Sequence, residues 1–284
     1  MPAGHPSPAA GAGCCVTQRE MLSTEVDGLR IAYERAGEGP PLVLLHGFIG
    51  DGRVWRRQIE GLSRDFDVIA WDAPGCGQSS DPDEHFSMAR FADCLAGLLE
   101  YAGVPYAHVL GLSWGGTMAL EFYRRHRDSV LSLILADTYA GWTGSLGEEA
   151  AAQRLARCLR ESEMRAAEWV PQWVPDAFSG AADQALLDEL ASIMSDFHPA
   201  GFRAMSRALA LDFREILPLI EVPTLLLWGD DDKRSPLSNG ALMRDSIPGS
   251  QLVVIPGAGH VSNMEQPERF NAEVRQFCRS VAYK

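Results

Sequence analysis

A chain of 284 residues is long enough for one large α/β domain with a substantial core and an inserted subdomain. Its hydrophobic share of 46% and charged share of 22% are ordinary for a soluble globular protein. With 25 basic and 38 acidic residues the net charge is -13, a surface that repels nucleic-acid phosphates and anionic lipid and leaves small neutral or weakly polar molecules as the expected partners.

The chain opens with MPAGHPSPAAGAGCCVTQRE, rich in Pro, Ala and Gly. It lacks a basic start followed by a continuous apolar core, so residues 1–20 are expected to be a flexible extension and not a secretory signal. No apolar run approaches the length of a membrane span. The cysteines at 14, 15, 76, 94, 158 and 278 are scattered, without the paired spacing of a zinc site or a simple disulfide. A reducing cytoplasm is the expected setting.

Residues 23–33, STEVDGLRIAY, place an Asp-Gly turn between two alternating runs, which predicts a hairpin. Short apolar runs then recur at 42–45, 68–71, 108–112, 131–136, 224–228 and 252–255. Each is nearly continuous, the pattern of a strand buried on both faces. Helical patterns lie between them: one capped by Ser87 and running to Tyr101, one following Ser113, and a last one from Pro267. The alternation predicts a mostly parallel, doubly wound α/β sheet. From about Thr138 to Leu211 the rhythm breaks. This interval reads as several amphipathic helices, among them Glu148 to Arg165, divided by Pro171, Pro175 and Pro199 and rich in Trp and Phe. The division expected is therefore a core of 21–137 and 212–284, with a helical insertion at 138–211.

The stretch VLGLSWGGTMALEF sets Ser113 in the pattern G-x-S-x-G, between an apolar strand and a helix. By itself the pattern fits a helix N-cap as well as a nucleophile on a tight strand-to-helix turn. A serine hydroxyl needs a base to take its proton and a third group to orient that base. Of the seven histidines, His260 is the candidate: it lies in the glycine-bearing loop after the last strand and before the last helix. For the acid, Asp230, Asp231 and Asp232 follow the preceding strand, and Asp137 ends the strand at 131–136. An oxyanion would be held by backbone N–H groups, for which Phe48, in the HGF turn after the third strand, and Trp114, after the serine, are the candidate pair.

Together LVLLHGFIG, WDAPGCGQSS, VLGLSWGG, LLLWGDDD and PGAGHVSNMEQPERF follow one another as they do in the α/β-hydrolase family, which the chain resembles from about residue 24 to its end. The likeness is to the branch of small-molecule esterases, enol-lactonases and C–C bond hydrolases. It implies a Ser113–His260–Asp232 triad, since the family acid stands three residues after the glycine ending the seventh strand, here Gly229; the position after the sixth strand keeps Asp137 as the alternative. It also implies a helical lid over the pocket, no cofactor and no metal. Serine at the elbow disfavours the dehalogenase and epoxide hydrolase chemistries, which use aspartate. The expected activity is cleavage of a carboxylic ester or lactone of a small, apolar molecule through an acyl-enzyme. The alternatives are C–C hydrolysis of a vinylogous diketone, cofactor-free haloperoxidase or perhydrolase chemistry, and a non-catalytic ligand receptor.

Overall fold

The structure is a computed structural model that describes residues 20–83 and 85–282. The extension expected over 1–20 lies outside the described residues, except that Glu20 is the first residue of a strand. Eight strands form one sheet: β1 (Glu20–Val26), β2 (Leu29–Ala36), β3 (Pro41–Leu45), β4 (Asp67–Trp71), β5 (Ala107–Leu112), β6 (Val130–Ala136), β7 (Thr224–Gly229) and β8 (Gln251–Ile255). Their order is β1-β2-β4-β3-β5-β6-β7-β8. β1 and β2 pair antiparallel, as do β2 and β4, and the remaining pairs are parallel.

The predicted hairpin forms because Asp27 and Gly28 both take positive φ (50° and 74°), the requirement of the turn whose twist matches its strands. The continuous apolar runs behave as expected in the middle of the sheet, where every residue of β4, β5, β6 and β7 is buried. β8 departs from the expectation. It is one of the two edge strands, and only Ile255 of its five residues is fully buried.

Helices flank the sheet. α1 (Arg56–Leu62), α2 (Met88–Tyr101) and α3 (Trp114–Arg125) precede β6 in the chain. Ser87 caps α2 by accepting the Arg90 amide, as its position predicts. Five helices lie between β6 and β7: α4 (Trp142–Leu146), α5 (Glu148–Glu161), α6 (Ala166–Trp173), α7 (Gln184–Ser195) and α8 (Pro199–Leu209). Pro199 starts α8, where its missing N–H costs nothing. Pro171 was expected to divide helices; it lies inside α6 instead. The helix starting at Glu148 stops at Glu161, short of the expected Arg165. α9 (Leu237–Ser246), α10 (Ser262–Glu265) and α11 (Pro267–Ser280) complete the chain. Cys76, Cys94, Cys158 and Cys278 are buried free thiols. Among the described residues no helix is long and apolar enough to cross a membrane.

Candidate active site

The chain leaves β3 to one side to form β4 and returns on the other side to form β5, so the strand order reverses at β3 and β5. In open α/β sheets the crevice opens at the carboxyl ends of such strands. The loop after β3 carries His46, Gly47 and Phe48, and the turn after β5 carries Ser113.

Ser113 has φ 53° and ψ -116°, a conformation that non-glycine residues rarely hold and that costs about 1–3 kcal/mol. The fold pins it from three sides. Its amide donates to the Ala136 carbonyl at the end of β6 (2.9 Å). Its carbonyl accepts from the Gly116 amide (3.0 Å) and the Thr138 hydroxyl (2.5 Å). The flanking glycines are required by close approach: a Cβ on Gly115 would sit 2.1 Å from the Leu45 carbonyl oxygen, and one on Gly111 would sit 2.3 Å from that of Gly115. The serine hydroxyl does not cap α3. It lies 2.8 Å from His260 Nε2.

His260 and Asp232 are both buried, and His260 Nδ1 lies 2.9 Å from Asp232 Oδ2. The other Asp232 oxygen accepts the amides of Arg234 (2.8 Å) and Ser235 (2.9 Å), so the carboxylate is held by its own loop. The three consecutive acids thus have three separate partners. Asp230 accepts the Gly257 amide, Asp231 accepts the Gly180 amide, and only Asp232 reaches the imidazole.

Asp137, the alternative acid, is fully buried but bonds elsewhere: Oδ1 accepts the Gly229 amide (2.8 Å) and Oδ2 the Ser262 hydroxyl (2.5 Å). Burial, reinforced by the neighbouring Asp232 charge, raises its pKa well above the usual carboxylate value. It ties the ends of β6 and β7 to the residues just after His260.

Phe48 sits in a four-residue turn closed by the Gly50 amide on the Gly47 carbonyl (3.2 Å), with Ile49 at φ 60°. An N–H at the second position of such a turn is free of the turn's own hydrogen bond. Trp114 is the first residue of α3, whose amide has no acceptor within its helix. His46, adjacent to this turn, is a brace. Its Nε2 accepts the Ala73 amide (3.0 Å), so the proton sits on Nδ1, which donates to the Gly47 carbonyl (2.9 Å). Burial lowers its pKa and keeps it neutral.

Two cavities open on the serine and imidazole. The larger, about 320 Å³, is walled by Tyr139, Trp142, Trp173, Arg154, Arg157 and Arg234 among others. The smaller, about 40 Å³, is walled by Val54, Leu112, Ala177, Leu190, Met194 and Val261. Phe48, Ser113, Arg234 and His260 face both. The insertion's aromatic residues divide into two groups. Trp142 and Trp173 line the large cavity, while Trp169, Phe178 and Phe202 are buried in helix packing. Sequence reasoning missed Tyr139, Arg154, Arg157 and Arg234. The only signal for the middle pair was their spacing of three on α5, which puts them on one helix face.

The α/β hydrolase fold matches residues 40–157 and 198–267. The chain belongs to the α/β-hydrolase family. Among its relatives is 3-oxoadipate enol-lactonase 1 of Acinetobacter baylyi, 28% identical over 93% of this chain and 95% of that protein. The malate-bound structure of a thermophilic esterase from Thermogutta terrifontis is 33% identical, with a TM-score of 0.85 over 94% of this chain and all of that one. A hydrolase from Pseudomonas aeruginosa is 28% identical, with a TM-score of 0.82 over 93% of this chain and 99% of that one.

Proposed function

We propose that this α/β-hydrolase cleaves a carboxylic ester or lactone of a small molecule through a serine acyl-enzyme. The observation that carries the reading is the unbroken contact from Ser113 Oγ to His260 Nε2 (2.8 Å) and from His260 Nδ1 to Asp232 (2.9 Å), at a serine held at positive φ. The names of the enol-lactonase and esterase relatives support the same reaction class.

In this reading Ser113 Oγ attacks the carbonyl carbon while His260 takes its proton. Asp232 holds the Nδ1–H tautomer and stabilises the imidazolium as it forms. The Phe48 and Trp114 amides receive the oxyanion of the tetrahedral intermediate; losing one such donor costs about 3–4 kcal/mol. The intermediate collapses as the C–O bond to the leaving group breaks, and His260 gives that oxygen its proton. Water, deprotonated by His260, then attacks the acyl carbon, and Ser113 leaves with the proton returned. Residues 138–211 act as a lid that limits water and shapes the cavity.

The test is labelling with an alkyl phosphonate followed by peptide mass spectrometry, alongside turnover of 4-nitrophenyl acetate and simple lactones. The adduct is expected on Ser113, and Ser113→Ala is expected to lose on the order of 10⁴-fold or more in kcat with its melting curve intact. Undiminished turnover by that variant refutes the reading.

A further inference from the structure

The net charge of -13 makes a neutral substrate the natural expectation, yet the large cavity carries the opposite sign. Three guanidinium groups, those of Arg154, Arg157 and Arg234, line it beside Ser113 and His260. Arg157 pairs with Glu161 (2.7 Å). Arg154 and Arg234 form no ion pair among the described residues. Arg154 donates to the Tyr139 hydroxyl (3.2 Å) and lies over the Tyr139 and Trp142 rings. Arg234 donates to the Trp173 carbonyl and lies over the Trp173 ring. The one acid lining the cavity, Asp176, is exposed.

Elsewhere this protein behaves differently. The partly buried Arg35, Arg57 and Arg275 each meet a carboxylate, Asp67, Glu189 and Asp65, at 2.6–2.7 Å. Leaving two partly buried guanidiniums without a direct ion pair is unfavourable. Burial first and then the neighbouring Arg154 charge lower the Arg234 pKa to about 10, outweighing the opposing pull of Tyr139 and of the Asp176 and Asp232 carboxylates, neither of which reaches it as an ion pair. Both groups are held in place by aromatic stacking and by neutral oxygens, which leaves N–H donors available for a planar anion. They stand close to the chemistry, since Tyr139, which accepts from Arg154, has its ring 6.2 Å from the His260 ring. The small cavity, which shares Phe48, Ser113, Arg234 and His260 with the large one, admits only a short group.

Building on the hydrolase reading above, we propose that the large cavity is a carboxylate subsite, and that the substrate is an ester or lactone with a free carboxylate on the part that fills this cavity. The Arg154 and Arg234 guanidiniums supply the counter-charge, and a short group occupies the small cavity.

Two measurements test it. The first compares kcat/KM for monomethyl and dimethyl glutarate, which differ only in one free carboxylate. The wild type is expected to favour the monoester at least ten-fold. Arg154→Met, which keeps the stem packing, is expected to remove most of that preference, and Arg154→Lys to retain part of it. Arg234→Met provides a second variant should the first fold poorly. The second measurement is calorimetric titration of glutarate into Ser113→Ala, with and without Arg154→Met; binding at least ten-fold weaker in the double variant is expected. If no ester is turned over but glutarate binding still depends on Arg154, the subsite stands and the hydrolase reading fails. A monoester preference of one or less, a preference untouched by both arginine variants, or no glutarate binding to Ser113→Ala overturns the subsite.

Discussion

The floor and the roof of the site are built on different principles. The floor is a set of loops at the carboxyl ends of β3, β5, β6, β7 and β8, held by hydrogen bonds to backbone groups. Asp232 takes two amides of its own loop, Asp137 takes the Gly229 amide, and His46 bridges Ala73 and Gly47. The roof, the helices from α4 to α8, is packed largely through aromatic contacts, with the Arg57–Glu189 ion pair tying α7 to α1. Phe202 alone meets Phe48, Trp169, Trp173 and Phe197 with ring centroids 5.2 to 6.4 Å from its own. Backbone bonds fix geometry to a fraction of an ångström, whereas ring packing tolerates substitution and sliding. Chemistry should therefore fail sharply when the floor is altered, and substrate choice should drift when the roof is.

The sharpest way to test the floor is its pair of buried acids. Asp232→Asn removes the acceptor for the His260 Nδ1 proton and favours the wrong tautomer, so kcat is expected to fall by on the order of 10³–10⁴-fold. Asp137→Asn leaves the imidazole contact intact, and its effect on kcat is expected to stay below about ten-fold. Stability should move the other way. The Asp137 carboxyl holds its proton to higher pH folded than unfolded, where its ordinary value is 3.8, so ionising it inside the fold costs stability as pH rises. The neutral amide escapes that cost, and Asp137→Asn is expected to melt at or above the wild-type temperature at pH 8. Equal losses of activity in the two variants would remove the distinction between the acids.

Where roof meets floor, one carboxylate gathers several groups at once. Glu265 of α10 accepts the Ser179 amide and hydroxyl (2.6 Å to the hydroxyl) and the Gly259 amide (2.6 Å), the residue before His260. The Val261 amide donates to Ala177 beside it. Glu265→Ala strands three donors, and charge-assisted bonds of this kind contribute about 1.5–3 kcal/mol each before compensation by water. A drop of several degrees in melting temperature is expected, with a loss in kcat/KM of roughly ten-fold as His260 loses its support. If the melting temperature falls while kcat/KM stays unchanged, the join serves the roof alone.

This division also explains what could be read from the sequence. The floor was legible because each of its parts demands particular residue types at fixed spacing: glycines where strand and helix touch at Gly111 and Gly115, and continuous apolar runs for the central strands. The three-acid run after β7 did not reveal its own pairing, since Asp230, Asp231 and Asp232 differ only in which loop faces each one. The roof was legible as helices but not as a cavity wall. Its amphipathic pattern could not separate Trp169, buried in packing, from Trp173, which lines the cavity. Nor could it place Arg154 of α5 beside Arg234, which lies 80 positions away in the loop after β7. The local charge of the cavity is set by that convergence, and a composition of -13 overall carries no trace of it.

The smallest expected effect concerns the floor's foundations, away from the chemistry. His108, at the opposite end of β5 from Ser113, is buried with Nδ1 2.8 Å from the Ser132 hydroxyl, and burial lowers its pKa to about 4. A histidine depressed in this way contributes its full share of stability above its unfolded value of 6.5. That share is lost as pH falls from 6.5 toward 4, because only the unfolded chain then takes up the proton. The loss is on the order of 3 kcal/mol across that window. His46 acts in the same direction, since burial lowers its pKa too. Asp72 and Asp137 oppose both, because carboxyls whose pKa is raised by the fold gain stability as pH falls. The absolute stability curve therefore mixes signs, and the informative quantity is a difference. His108→Gln removes the titrating group and leaves the others in place. Its stability relative to wild type, measured by urea unfolding, is expected to improve by about 3 kcal/mol between pH 7.5 and pH 4. A gap that does not change with pH would mean that the imidazole takes up its proton in the folded chain as readily as in the unfolded one.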